Sequence, residues 1–373
     1  MLTSDDQVRI NTVLEPLSGR YEIITRSAMG VYADNPMMPA FREPREEIIG
    51  AGLNNLAAKE AWGGNRSKPE SPDKYLTCFE VDKDRILLSS AFRRLARKTQ
   101  VFAFPGDHLR NRLTHAVEVA QIASKITKAI GLNANLAEAI ALGHDIGHGP
   151  GGHAAEEAFA RFIPNYFYHG SFGADVVLAP LNLCEETLDG IRNHSWSRPI
   201  PKTPEAAVVS FADRIAYCSH DLEDALSVKM VSVEMIPDDI IALAGKSKQS
   251  QVNTFIDEMI YCFTNFSVIG MRKDYGEALS SFRKFNFEFI YNAPEVEKTN
   301  EMFIKLNSEL VEFYASCPEV PDFSDDIASS EEDSLVKAIH HVAMMTDDYA
   351  LQMGRELLGF RPLENITVRN LFC

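Results

Sequence analysis

The chain has 373 residues, 45% hydrophobic and 24% charged, with 37 Lys+Arg against 53 Asp+Glu and a formal net charge of −16 at pH 7. Those proportions exclude a wholly disordered, collagen-like or coiled-coil chain, and so acidic a surface argues against extended contact with nucleic acid. No apolar run reaches the roughly 20 residues that a bilayer-spanning helix needs, so no membrane partner is expected. The first twenty residues lack the basic start and apolar stretch of a secretory signal. The six cysteines are scattered without CxxC spacing, which fits reduced thiols. The expected location is cytoplasmic.

In chain order, residues 1–75 read as an N-terminal extension with six prolines, short helices (the best over 45–61) and a flexible stretch at 63–73. Between Arg85 and Arg112 seven cationic residues meet only Asp107. Such a basic island suits a small, highly charged ligand better than a long polyanion. A helical core with short breaks is expected over 76–230. In LTHAVEVAQIASKITKAI, Val119, Ile122 and Ile126 follow His115 at +4, +7 and +11, which places His115 on the apolar face of a helix. A second helix, LAEAIALGHDIGH, starts at a cap on Asn133 or Asn135. Its Leu136, Ile140, His144 and His148 succeed each other at i+4, so His144 points inward, with Asp145 beside it. Gly147, Gly149, Gly151 and Gly152 then end the helix. A third helix, AAVVSFADRIAYCSHDLEDAL, sets Asp213 beside Val209, Ala212 and Ala216, and Tyr217 and Asp221 repeat that face at +4 and +8.

The remaining region, 231–373, is also helix-rich. It carries an acidic loop at 321–333 and a helix opened by a Ser330/Asp333 capping-box pattern. The alternating FNFEFIY run at 285–291 leaves a short strand open. There is no βαβ alternation and no GxGxxG or GxxxxGK[ST] loop, so Rossmann and P-loop readings lose their support. The expected fold class is all-α.

Three separate helices thus aim ligand-type side chains at a core. One inward histidine is usually a hydrogen-bonded core residue. Two imidazoles and two carboxylates together suit a divalent ion such as Mn, Fe, Mg or Zn, which removes the cost of burying the carboxylates.

His115, the pair His144-Asp145 and Asp213 match the H…HD…D pattern of the HD phosphohydrolases. The strings FRRLARKTQVF (92–102), HLRNRLTHAVEVAQIA (108–123), HDIGHGPGGHAAEEAF (144–159) and ADRIAYCSHDLEDA (212–225) resemble the deoxynucleoside triphosphate triphosphohydrolase, dGTPase-like branch. GIRNHSW (190–196), FNFEFIYNAP (285–294) and MTDDYAL (345–351) fit it too; the resemblance covers about 76–355. It implies an HD-domain helical core with additional C-terminal helices packed on it. It implies hydrolysis of a dNTP to deoxynucleoside and inorganic triphosphate, with a divalent metal (Mn, Mg or Fe) held by His115, His144, Asp145 and Asp213. By the same resemblance His153 and Glu156 are a catalytic pair, and His169 lies near the same bond. Arg112 and Arg214 contact phosphates, and Gln100 packs by the sugar. Tyr217 lies against the deoxyribose, and Asp221 accepts from the 3′-hydroxyl. Family members form dimers or hexamers, so a homo-oligomer is expected. Two departures stand out: GPGG puts glycine at 151, where many members have an aromatic residue, making the loop smaller and more flexible, and the segment after His169 lacks the HNxxS form. Another HD-type nucleotide phosphohydrolase and a non-catalytic nucleotide-binding regulator are the alternatives.

Overall fold

Helix starts along the chain are marked by side chains that accept otherwise unpaired N–H groups. Ser89, Asn111, Asn133, Thr203, Ser247 and Thr346 each do so. The computed structural model describes residues 10–12, 22–24, 41–60, 64–104, 108–164, 167–317 and 334–361. Among them the chain forms α1 (Arg42–Ala51), α2 (Cys78–Leu88), α3 (Ser90–Arg94), α4 (Arg112–Ile130), α5 (Ala134–Gly143) and α6 (His153–Ala160). It continues through α7 (His169–Phe172), α8 (Glu185–Arg192), α9 (Pro204–Ser227), α10 (Asp238–Ala244) and α11 (Lys248–Phe266). It closes with α12 (Lys273–Asn286), α13 (Pro294–Ser316), α14 (Ser334–Met344) and α15 (Asp347–Leu358). One antiparallel pair of three-residue strands, β1 (Ile10–Thr12) and β2 (Glu22–Ile24), precedes them, with Asn11 opposite Ile23. The fold is all-α, as expected. No helix among the described residues is long and apolar enough to cross a membrane.

Three local expectations are corrected. The helix expected over 45–61 stops at Ala51, because the chain turns at Gly52 and Asn54 donates its N–H to the Gly131 carbonyl at 2.6 Å. The 285–291 run is helical and ends in one wide turn over Phe287–Tyr291. Phe285 and Ile290 face the core while Phe287 and Phe289 lean outward, and buried Asn286 donates to the Cys218 carbonyl at 2.9 Å. The second HD helix ends at Gly143, so His144 is its C-cap and His148 lies beyond it. The acidic loop at 321–333 and the Ser330/Asp333 start lie outside the described residues.

Burial gathers into two apolar cores. The larger joins α2, α4, α5, α8, α9, α11 and α12 around residues such as Ile86, Val119, Ile140, Val209, Phe255 and Phe282. The smaller joins α6, α13, α14 and α15 around Phe159, Phe303, Leu310, Ile339 and Leu351. The glycine-rich loop from α5 to α6 crosses between them and is pinned by polar groups. Asp347 Oδ2 accepts from the Thr99 N–H at 2.8 Å and hydroxyl at 2.6 Å, and Oδ1 accepts from Gly151 N–H at 2.9 Å. Asn307 donates to the Pro150 carbonyl at 2.9 Å. Buried Lys98 donates to the carbonyls of His148 and Ala343, and burial pushes its pKa down to about 7.

The loop is therefore not the looser element that its glycines suggest. Gly151 has φ +73°, and a Cβ there would lie 2.4 Å from the ring of Phe303. The aromatic bulk at this point comes from α13 instead of the loop. A Cβ on Gly152, at φ +65°, would lie 2.6 Å from Arg112 Nη2. Both positions demand glycine by conformation and by space.

Candidate active site

Helix α4 brings His115, the end of α5 brings His144 and Asp145, and α9 brings Asp213. His115 Nε2 lies 3.0 Å from Asp213 Oδ1. His144 Nε2 lies 3.4 Å from Asp145 Oδ1 and 3.7 Å from Asp213 Oδ1. The structure thus brings all four expected metal ligands to one point. Burial opposes ionisation of Asp213, but the His115 hydrogen bond and nearby imidazoles bring its pKa down to about 2. Burial likewise opposes the Asp145 charge, which Arg112, His144 and His148 stabilise well below the usual carboxylate range. For His115, burial favours the neutral ring, yet the hydrogen bond and charge of Asp213 win and raise its pKa.

The donor set fits a divalent cation. His144 Nδ1 lies 2.6 Å from the Ala141 carbonyl, which can only accept, so the network assigns the proton to Nδ1. Nε2 then presents a lone pair to two carboxylate oxygens, buried and without a hydrogen bond. A divalent cation set among these donors would satisfy the open Nε2 and both carboxylate oxygens at once. Bonds of about 2.1 Å set at tetrahedral or octahedral angles separate neighbouring donors by about 3.0–3.4 Å, close to the distances found here.

A second bank of imidazoles lies on the other side of Asp145. His148 Nε2 is 3.2 Å and His169 Nε2 4.0 Å from Asp145 Oδ1. The rings of His148 and His169 stack at 3.7 Å, and His153 stands edge-on to His148 at 4.8 Å. His194, which follows α8, places Nε2 3.1 Å from His169 Nε2 and Nδ1 2.8 Å from the Ile191 carbonyl. His148 and His194 were absent from the expected site residues. His148 stands on the i+4 row of His144 in the sequence without being an expected site residue; in the structure it lies past the helix end and reaches Asp145 from the loop. The one available signal for His194 was the GIRNHSW string.

Glu156 corrects an expected pairing. Its Oε1 binds Nδ1 of His169 and accepts from the His169 N–H at 3.1 Å, so it orients His169 rather than His153. Burial raises the Glu156 pKa, but the charge and hydrogen bond of His169 lower it to about 2. His153 is at the open edge of the cluster. The surrounding protein lowers its pKa to about 4, opposed by the charge of Glu156 and aided by those of Arg112 and His169.

Arg112 is almost wholly buried and puts Nη1 2.6 Å from Asp145 Oδ2, so the structure shows it holding a carboxylate. Much of the rest of the basic island is also engaged internally, with Arg94 reaching only Ser90 Oγ and Met344 Sδ. Arg110 binds Glu118, Glu223 and Asp224, Arg85 binds Glu70, Arg97 binds Asp348, and Arg93 donates to the Leu88 carbonyl. The island is therefore mostly internal bonding and not an open patch. Arg214 stacks its guanidinium 3.6 Å over the Trp196 ring. Gln100 follows Thr99, whose carbonyl faces Gly152, and its Oε1 is buried without a hydrogen bond. Tyr217 and Asp221 continue the Asp213 face of α9. Burial raises the Tyr217 pKa. Burial pushes Asp221 up to about 7, although Tyr291 donates to its Oδ2 at 2.7 Å; Oδ1 is buried without a hydrogen bond.

A family model described as HD domain matches residues 112–218, and one described as phosphohydrolase-associated domain matches 269–356. A deoxyguanosinetriphosphate triphosphohydrolase-like protein of Caldanaerobacter subterraneus is 38% identical over 325 residues, covering 85% of this chain and 95% of the relative. A protein of the same description from Clostridium perfringens is 37% identical, covering 83% and 94%. A hypothetical protein of known structure from Aquifex aeolicus aligns at TM-score 0.44 and 17% identity, covering 75% of this chain and 69% of its own.

Proposed function

Because the chain belongs to the HD-domain family of deoxyguanosinetriphosphate triphosphohydrolase-like proteins, we propose that it hydrolyses a deoxynucleoside triphosphate at the α-phosphate, with water, to deoxynucleoside and inorganic triphosphate. The observation that carries this reading is the meeting of His115, His144, Asp145 and Asp213 on the face of α9 that continues to Tyr217 and Asp221. Those four residues would hold a divalent ion, which would supply Lewis acidity toward a phosphoryl oxygen and lower the pKa of water.

The chain's own groups do the rest. His153, largely neutral at pH 7 and open to the cleft, takes a proton and returns it to the leaving 5′-oxygen. Glu156 holds the ring of His169 toward the same place. Arg112 neutralises Asp145 and keeps it ionised for a ligand's role. Arg214, flat on Trp196, is the residue we assign to the phosphate oxygens. Asp221 offers the open Oδ1 to a 3′-hydroxyl while Tyr291 fixes Oδ2, and the bulk of Tyr217 resists a 2′-hydroxyl. A buried acceptor left unpaired by the wrong sugar is a strong discriminator.

The test is incubation of the full chain with each dNTP and Mn or Mg, followed by phosphorus NMR. Inorganic triphosphate as the product supports the reading; monophosphate or diphosphate products alone reject it.

A further inference from the structure

The corner between α14 and α15 meets the glycine-rich loop, and it carries a buried charge. Asp347 opens α15, directly after the N-cap Thr346, and is 5% exposed. Its Oδ2 accepts from the N–H and the hydroxyl of Thr99, and its Oδ1 accepts from the Gly151 N–H. All three partners are neutral. Lys98 acts on it only through space, since its ammonium donates to the carbonyls of His148 and Ala343. Burial pushes the Asp347 pKa up against those hydrogen bonds. A buried carboxylate without a bonded counter-ion costs more than a neutral contact in its place, so stability alone gives no reason for it.

The carboxylate spans two segments that enclose Arg112. Thr99 bridges to Asn111, and the Arg112 N–H donates to the Lys98 carbonyl at 3.2 Å, so the 98–99 segment sets the start of α4. Gly151 belongs to the facing loop. A Cβ on the next residue, Gly152, would meet Arg112 Nη2 at 2.6 Å and the Thr99 carbonyl at 3.3 Å. The guanidinium thus lies against the backbone that Asp347 ties together, and its Nη1 holds Asp145 Oδ2 at 2.6 Å. His153 starts α6 two residues after Gly151. On the same corner, a Cβ on Gly149 would stand 3.5 Å from Ala343 Cα. We infer that Asp347 is a positioning residue: by tying Thr99 to Gly151 it fixes Arg112 against Asp145 and sets where His153 enters the cleft. A carboxylate suits this task because both its oxygens accept and neither carries a hydrogen that would meet the N–H of Gly151 or Thr99. The role deepens the function proposed above and rests on it for the reaction being positioned.

The test is steady-state kinetics of the full-length protein with the four dNTPs and Mn(II), with products identified by phosphorus NMR, alongside thermal unfolding and hydrogen exchange. Asp347→Asn turns one acceptor into an NH₂ group that faces an N–H. Well below its unfolding midpoint it should lose about 10–100-fold in kcat while KM stays within about two-fold. Amides over 146–153 should exchange faster than in the wild type. Thr99→Val removes the hydroxyl, keeps the N–H and should lose about 3–10-fold, the scale of one hydrogen bond. Thr99→Ser, which retains the hydroxyl, should stay close to wild type. In the double variant Asp347→Asn/Thr99→Val the two losses should fall short of multiplying, because both act through one clasp. A lowered midpoint with kcat unchanged makes Asp347 a merely structural residue and overturns the proposal. Losses that multiply in full overturn it too. Release of monophosphate or diphosphate alone by the wild type, with the same drop in the variant, refutes the function above and spares the clasp. Triphosphate released equally fast by wild type and Asp347→Asn does the reverse.

Discussion

The two sides of Asp145 are built differently. On one side His115 and Asp213 sit within long helices, α4 and α9, and each is backed by the larger core. On the other side His148, His153, His169 and His194 come from a loop, a helix start, a four-residue helix and the segment after α8. The first group is fixed by helix packing. In the second, hydrogen bonds at Nδ1 fix His169 and His194, and the loop that carries His148 is clasped between two cores. Rigid elements hold the groups that bind charge, and the groups suited to proton transfer hang on shorter pieces.

The comparison can be broken most sharply on the helical side. His144→Ala removes the lone pair that faces both carboxylates and should lower dNTP turnover by on the order of 10³-fold or more, the scale of losing several kcal/mol of charge stabilisation. Turnover close to wild type would show that α5 does not feed the site. On the loop side, His153→Ala should cost roughly 10²–10⁴ in rate while metal content stays at the wild-type level. Metal analysis alongside kinetics checks both halves of that statement, and a loss of metal would move His153 into the binding set.

A smaller effect is expected from Glu156→Gln, which weakens the orientation of His169 without touching His153: roughly 10–100-fold in rate. If the Glu156 change mimicked His153→Ala in pH profile as well as in size, the expected His153–Glu156 partnership would be restored at the expense of the contact in the structure. The smallest effect concerns the clasped loop. Gly151→Ala forces a methyl into Phe303 and should lower stability by about 1–3 kcal/mol in thermal unfolding. An unchanged midpoint would mean that the loop is as loose as its glycines imply.

The same division governs what the sequence could reveal. His115 and Asp213 follow from apolar spacing of 3.6, and the Asn133 cap follows from residue type, because these signals are local and helical. His194 escaped because residues beyond a helix end carry no period, and His148 stood on the i+4 row of His144 without a motif to mark it as a site residue. Glu156 was paired with His153 by resemblance, while the histidine it bonds in the structure arrives through a loop and a new helix 13 residues on. The basic island is real as composition, but several of its arginines are bound by acids distant in sequence, such as Glu223 and Asp348. The role of Gly151 needed Phe303, a residue of another core, to become intelligible.

The central claim is that side chains from α4, α5 and α9 converge to bind a divalent ion. Equilibrium dialysis of chelated protein against Mn(II), comparing wild type with Asp213→Asn, tests it most directly. The account predicts tight, saturable binding in the wild type and loss of most of it in the variant, with helical circular dichroism unchanged. Equal binding by both folded proteins would contradict it.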